Sequence, residues 1–156
     1  PAAVGKTTIS QTIAKSMGAL YISFDDILSK HKLDIIEGDG ISVKNFIQGN
    51  ELALDMINQV KHRAIVFDGC FYREEQVKHL IKNLKQKYFI FSLKANVNEC
   101  IKRNHERGSP MPDDAVKSVH KLVSKKDYGI VIDTEGKSSD EVSKEILVHL
   151  HQVKAL

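Results

Sequence analysis

The chain has 156 residues, 42% of them hydrophobic and 28% charged, with 23 basic and 20 acidic side chains and a net charge of +3. That length suits one domain with a real core, and the composition excludes wholesale disorder and collagen-like repeats. The weak positive balance neither argues for nucleic acid nor excludes it. No apolar run reaches the roughly 18–20 residues of a membrane span, and the first residues do not read as a signal peptide. Cys70 and Cys100 are far apart with no CxxC pair, so alone they make no zinc site. A disulfide is not expected in the reducing, cytoplasmic setting that this composition suggests.

The chain opens Pro1-Ala2-Ala3-Val4-Gly5-Lys6-Thr7-Thr8. This is the pattern G-x-x-x-x-G-K-[ST] without its first glycine. Successive backbone N–H groups in such a loop curl around a phosphate, and the following helix adds its positive end. Ala3, Val4, Gly5, Lys6, Thr7 and Thr8 are therefore the candidate nucleotide-binding residues. Gly5 lets backbone approach phosphate, Lys6 neutralises charge between the β- and γ-phosphates, and Thr7 offers a hydroxyl to Mg²⁺. The competing reading is a chance Gly-Lys-Thr at a helix start. A phosphate loop hangs from a buried strand, and no residues stand before this one to form it. The natural chain is expected to begin earlier, with an apolar strand and a glycine.

Helical stripes then alternate with short apolar runs. Ile9, Ile13 and Met17 mark a helix, and Ala19–Ile22 reads as a buried strand. In the stretch Lys32–Asn50, Glu37-Gly38-Asp39-Gly40 marks a turn. The rest reads as a loop and short helix in preference to a mobile substrate-side segment. Leu52, Met56, Ile57 and Val60 make a helical face, Ala64–Phe67 a strand, and Val77, Leu80, Ile81 and Leu84 another helical face. Tyr88–Leu93 is a strand, followed by a helix with Val97, Cys100 and Ile101. Beyond the loop Gly108-Ser109-Pro110-Met111-Pro112, Val116, Val119 and Val123 continue a helical period, and Ile130–Ile132 is a strand. Ser138 and Glu141 form a capping box that opens the last helix. The alternation predicts an α/β fold, with a central parallel sheet between two helical layers.

Ligands of such sheets bind beyond the carboxyl ends of the strands. Asp25 and Asp26 follow one predicted strand, and Asp68 closes another. Asp26 reads as a helix cap. Asp25 can orient an acceptor hydroxyl and take its proton, and Asp68 can hold the water shell of Mg²⁺. Arg103 and Arg107 are four apart on one helix that runs into the proline loop. This segment, about 103–114, is a candidate lid bringing positive charge to phosphates; a solvated basic face is the plainer reading.

Cys70, Phe71 and Tyr72 read as packing residues, although the two rings could also stack on an acceptor. The histidines show no metal spacing.

Taken together, Gly5-Lys6-Thr7, Asp25-Asp26, Val66-Phe67-Asp68-Gly69 and Lys102-Arg103-Asn104 with Arg107-Gly108 resemble the P-loop kinases of the nucleoside-monophosphate-kinase type. The resemblance is greatest to the group of polynucleotide 5′-kinase, chloramphenicol phosphotransferase, gluconate kinase and seryl-tRNA kinase. It implies a three-layer α/β/α fold over residues 1–156 as one domain, with ATP and Mg²⁺ as cofactors. It implies Lys6 and Thr7 on the nucleotide and metal, Asp25 as general base, Asp68 near the metal and Arg107 on the phosphates. Arg103 would lie over the adenine or its phosphates, and the loop Thr134-Glu135-Gly136-Lys137 beside the adenine. Polynucleotide kinases carry an arginine three residues after the base; here that residue is Leu28.

The expected activity is transfer of the γ-phosphoryl of MgATP to a hydroxyl acceptor, which is a small metabolite, a nucleoside or a nucleic-acid 5′-end. The alternative is a nucleotide-binding switch or slow NTPase, which would need a residue to orient water. Nucleic acid is not indicated by the basic runs Lys82–Lys87 and Lys125–Lys126, which suit solvated helix faces. The sequence leaves the acceptor and the oligomeric state open.

Overall fold

The computed structural model describes residues 2–60, 64–106, 108 and 110–154. These residues form two compact units, one comprising Ala14–Tyr88 and the other the described residues up to Ile13 together with those from Phe89 onward. Helix α1 (Lys6–Met17) carries the chain from the second of these into the first.

The 14–88 unit is built on two parallel strands, β1 (Leu20–Ser23) and β4 (Ile65–Asp68), in register from Leu20 opposite Ile65 to Ser23 opposite Asp68. Helix α2 (Phe24–Lys30) follows β1 directly. Between α2 and β4 lie a two-stranded antiparallel hairpin, β2 (Ile36–Glu37) with β3 (Gly40–Ile41), and the long helix α3 (Val43–Gln59). Helix α4 (Glu74–Asn83) follows β4. The core gathers Ile22, Phe24, Ile27, Leu28, Phe46 and Ala53. Phe24 is its centre, stacked on Phe46 and on Phe71 and meeting Phe67 edge-on.

The other unit holds β5 (Phe91–Lys94), α5 (Val97–His105), α6 (Asp113–Val123), β6 (Ile130–Asp133) and α7 (Ser139–Lys154). Strands β5 and β6 are parallel, with Phe91 opposite Ile130 and Lys94 opposite Asp133. Val4, Ala95, Cys100 and Val116 form a small core. Gly129 is required where β6 begins: its φ is +67°, and a Cβ there would stand 2.2 Å from the Ile90 carbonyl oxygen.

The α/β class and the parallel pairing are as the alternation predicts. Local boundaries differ. The expected strand Tyr88–Leu93 starts only at Phe91, because the first bond of the ladder runs from the Ile130 N–H to the Ile90 carbonyl; Tyr88 stays exposed. In α3 the inward face is Phe46, Gly49, Asn50, Ala53 and Ile57, and Met56 faces water. The stretch expected to be loop and short helix holds the hairpin and the first turns of the longest helix described.

Candidate active site

The residues before α1 form a tightly wound turn. Ala3 and Gly5 both have positive φ, 59° and 95°. This left-handed backbone is what turns successive N–H groups to one side and makes a nest for an anion. Gly5 suits its position for a second reason, since a Cβ there would press on Ile9 Cδ1 at 3.2 Å. Ala3 and Val4 are buried, Val4 in the core with Cys100, so the turn is anchored from beneath. Lys6 opens the helix and Thr7 and Thr8 are exposed. No acidic side chain stands in the first turn of α1, so none within the helix itself offsets its positive end. These residues fit a nucleotide phosphate with its Mg²⁺: a backbone nest, a lysine and an exposed hydroxyl.

Arg103 lies in the same unit, on α5. Its Nε donates to Glu99 Oε1 at 2.9 Å, Nη1 to Thr134 Oγ1 at 3.0 Å and Nη2 to the Thr134 carbonyl at 2.7 Å. The guanidinium thus ties α5 to the segment after β6. Thr134 is buried and bonds again to the Lys94 carbonyl, while Asn96 donates to Glu135. The Thr134–Lys137 loop is therefore fixed by side chains from both ends of α5. Asn104, fully buried, joins the end of α5 to Met111: Nδ2 donates to the Met111 carbonyl at 2.7 Å and Oδ1 accepts from the Met111 N–H at 3.1 Å. His105 Nε2 meets Asp113 Oδ1 at 2.6 Å across the same stretch. Arg107, the other candidate lid residue, lies outside the described residues. Burial pushes the Cys100 thiol above its ordinary range, so it is an inert packing group.

In the 14–88 unit, Asp25 and Asp68 both come at the carboxyl ends of the parallel strands, as the sequence predicts. Asp25 is exposed in the first turn of α2. Asp68 is only 6% exposed and accepts from the Tyr21 hydroxyl at 2.9 Å. Asp26 does not cap the helix. Ser23 has the extended backbone of a cap, and its Oγ accepts the Asp26 N–H at 3.2 Å, so Asp26 is a first-turn residue favoured by the helix dipole. Phe71 and Tyr72 pack into the core, with Tyr72 edge-on to Phe46 at 5.0 Å. Leu28 is buried in that core. Among the described residues no group of three or more His, Cys, Asp or Glu gathers around a metal position. That is compatible with Mg²⁺ held by one or two protein groups and substrate phosphates.

The partners that fix these groups carry no signal in the order of the residues. Tyr21 on Asp68, Thr134 on Arg103 and Met111 on Asn104 are all set by tertiary structure.

The fold is that of P-loop kinases. A gluconokinase from Sinorhizobium meliloti aligns over 97% of this chain and 88% of its own, with TM-score 0.76 and 15% identity. A shikimate kinase from Acinetobacter baumannii, in complex with shikimate, aligns over 99% and 90%, with TM-score 0.68 and 18% identity. In sequence, a protein described as a putative adenylate kinase from Pyrococcus furiosus is 26% identical over 152 residues, covering 92% of this chain and 77% of the relative. No protein-family model matches the chain. No helix among the described residues is long and apolar enough to cross a membrane.

Proposed function

We propose that this chain is an ATP-dependent phosphotransferase that moves the γ-phosphoryl group of MgATP to an alcohol oxygen of a small acceptor. The supporting observation is the doubly left-handed turn at Ala3 and Gly5 feeding the acid-free start of α1 at Lys6. The kinases named above have the same fold, and they include a gluconokinase and a shikimate kinase. A hydroxyl-bearing metabolite is accordingly the favoured acceptor. The burial of Leu28 argues against a polynucleotide end, because that position offers no charge to an acceptor phosphate.

In this reading residues 1–156 act as one cytoplasmic catalytic domain with a lid over about 103–114. The backbone of residues 3–8 and Lys6 bind the triphosphate. Thr7 and Asp68 would hold Mg²⁺, which when bound draws charge from the β- and γ-oxygens. Asp25 takes the proton of the acceptor hydroxyl as its oxygen attacks the γ-phosphorus and the bond to the β–γ bridging oxygen breaks, releasing ADP. Arg107 stabilises charge on the migrating group, and Arg103 fixes the Thr134–Lys137 loop on the base side.

The test is ATP consumption with and without a panel of sugar acids, shikimate-like acids, nucleosides and oligonucleotides. Consumption is expected to depend on one hydroxyl compound, to vanish in Lys6→Ala, and to fall at least about 100-fold in Asp25→Asn with nucleotide binding retained. Acceptor-independent hydrolysis would instead mark an NTPase, and undiminished turnover in Asp25→Asn would remove the base assignment.

A further inference from the structure

The β2–β3 hairpin is held by two consecutive side chains from the connection between β4 and α4. The Tyr72 hydroxyl oxygen accepts the Ile41 N–H at 2.8 Å, and Arg73 Nε donates to the Ile41 carbonyl at 3.2 Å. Arg73 also grips the turn, with Nη2 at 2.6 Å from Asp39 Oδ1 and Nη1 at 3.3 Å from Oδ2. Gly40 is part of the fit: a Cβ there would stand 2.7 Å from the Tyr72 hydroxyl oxygen.

The hairpin itself is slight. Each strand is two residues long, and such a ribbon has marginal stability by itself. Ile36 is 75% exposed, so apolar burial on that strand adds little. The latch is also asymmetric. The Arg73 side chain is 23% exposed, anchored on the Ile41 carbonyl and lying over the Tyr72 ring; Asp39 is 65% exposed at the tip of the turn. When Asp39 leaves with the turn, the guanidinium stays over the Tyr72 ring, outside the hairpin, with its Nη atoms presented as a fork. A fork of this kind matches any two-oxygen anion.

We propose that the β2–β3 hairpin is a latched flap, in which Asp39 is a built-in carboxylate occupying an oxyanion seat at Arg73 that a phosphate or carboxylate ligand takes over as the flap opens. Anion binding and flap opening are then two sides of one competition, and each favours the other. The device lies wholly within the 14–88 unit and does not depend on the chain being a kinase.

Hydrogen exchange of the amides of residues 36–41 in the full chain tests this without any turnover measurement. Asp39→Ala is expected to speed their exchange roughly 1.5- to fivefold, the worth of a partly exposed ion pair. Asp39→Asn, which keeps the side-chain size, does the same. In the wild type, millimolar inorganic phosphate or succinate speeds exchange beyond potassium chloride of equal ionic strength, and in Asp39→Ala neither adds a further increase. A response to phosphate alone or to succinate alone assigns the class of oxyanion. Unchanged exchange in both Asp39 variants, or phosphate and succinate acting no differently from chloride, overturns the proposal.

Discussion

Tyr21 and Asp68 stand on the two parallel strands of the 14–88 unit, and the tyrosine hydroxyl is bound to the carboxylate at 2.9 Å. A carboxylate that is 6% exposed needs donors, because the water it gave up on folding would otherwise go unreplaced. Tyr21→Phe removes one donor and changes little else in shape. It is expected to lower stability by about 1–3 kcal/mol in chemical denaturation at neutral pH. Adding Asp68→Asn should recover part of that loss, since the amide brings its own donor. If Tyr21→Phe costs nothing, the bond is energetically idle.

Gly69 follows Asp68 and lies beneath Phe24, the residue before Asp25. A Cβ at position 69 would come within 2.7 Å of Phe24 Cβ, an atom that cannot swing away as a flexible tip can. Gly69→Ala must therefore displace Phe24 and the start of α2 with it. Overpacking of this kind costs about 1–3 kcal/mol. On the kinase reading, turnover should fall more than nucleotide affinity does, because the displaced segment carries Asp25. Wild-type turnover and stability in Gly69→Ala would mean that the close approach relaxes without moving α2.

These contacts mark where sequence reading runs out. The capping box at Ser138 and Glu141 is visible because both partners lie within one helical turn. The candidate phosphate turn is visible because its glycine, lysine and threonines are contiguous. Asp26 reads as a cap only when Ser23 is overlooked, and Ser23 stands at the capping distance from it. The partners of Arg103 and Arg73 are different in kind. Thr134 is 31 residues from the first, and Ile41 and Asp39 are 32 and 34 from the second, so only the packed chain brings them together. Tyr88, read as the start of a strand, and Met56, read as part of a helical face, prove exposed for the same reason: a short apolar pattern does not say which face finds a neighbour.

Arg103 makes a planar, two-toothed contact with Thr134, one tooth on the hydroxyl and one on the carbonyl. Lysine keeps the charge but reaches only one of these at a time. Arg103→Lys is expected to loosen the Thr134–Lys137 loop and, on the proposed reading in which that loop lies beside the adenine, to weaken ATP binding roughly three- to thirtyfold, as one or two hydrogen bonds to a charged group are lost. Binding of inorganic triphosphate, which has no base, should change much less. Equal losses for ATP and triphosphate would place Arg103 on the phosphates and not on the loop.

The start of α7 supplies a pH dependence of known sign. Glu141 accepts from the Ser138 N–H and from its hydroxyl, each at 2.8 Å, and these bonds hold its carboxyl below the ordinary glutamate range, the backbone bond contributing most. Both donors favour the ionised form, so the folded chain keeps Glu141 charged to lower pH than the unfolded chain does. The stability it adds is complete above the ordinary glutamate range and is lost as pH falls through the lowered folded value. Glu141→Gln keeps an acceptor oxygen for the Ser138 N–H and removes the titration. Thermal melts from neutral to acid pH should therefore show the wild type more stable near neutrality and the two proteins converging in acid. A gap that stays constant across the range would mean that the charge of Glu141 has no part in holding the helix start.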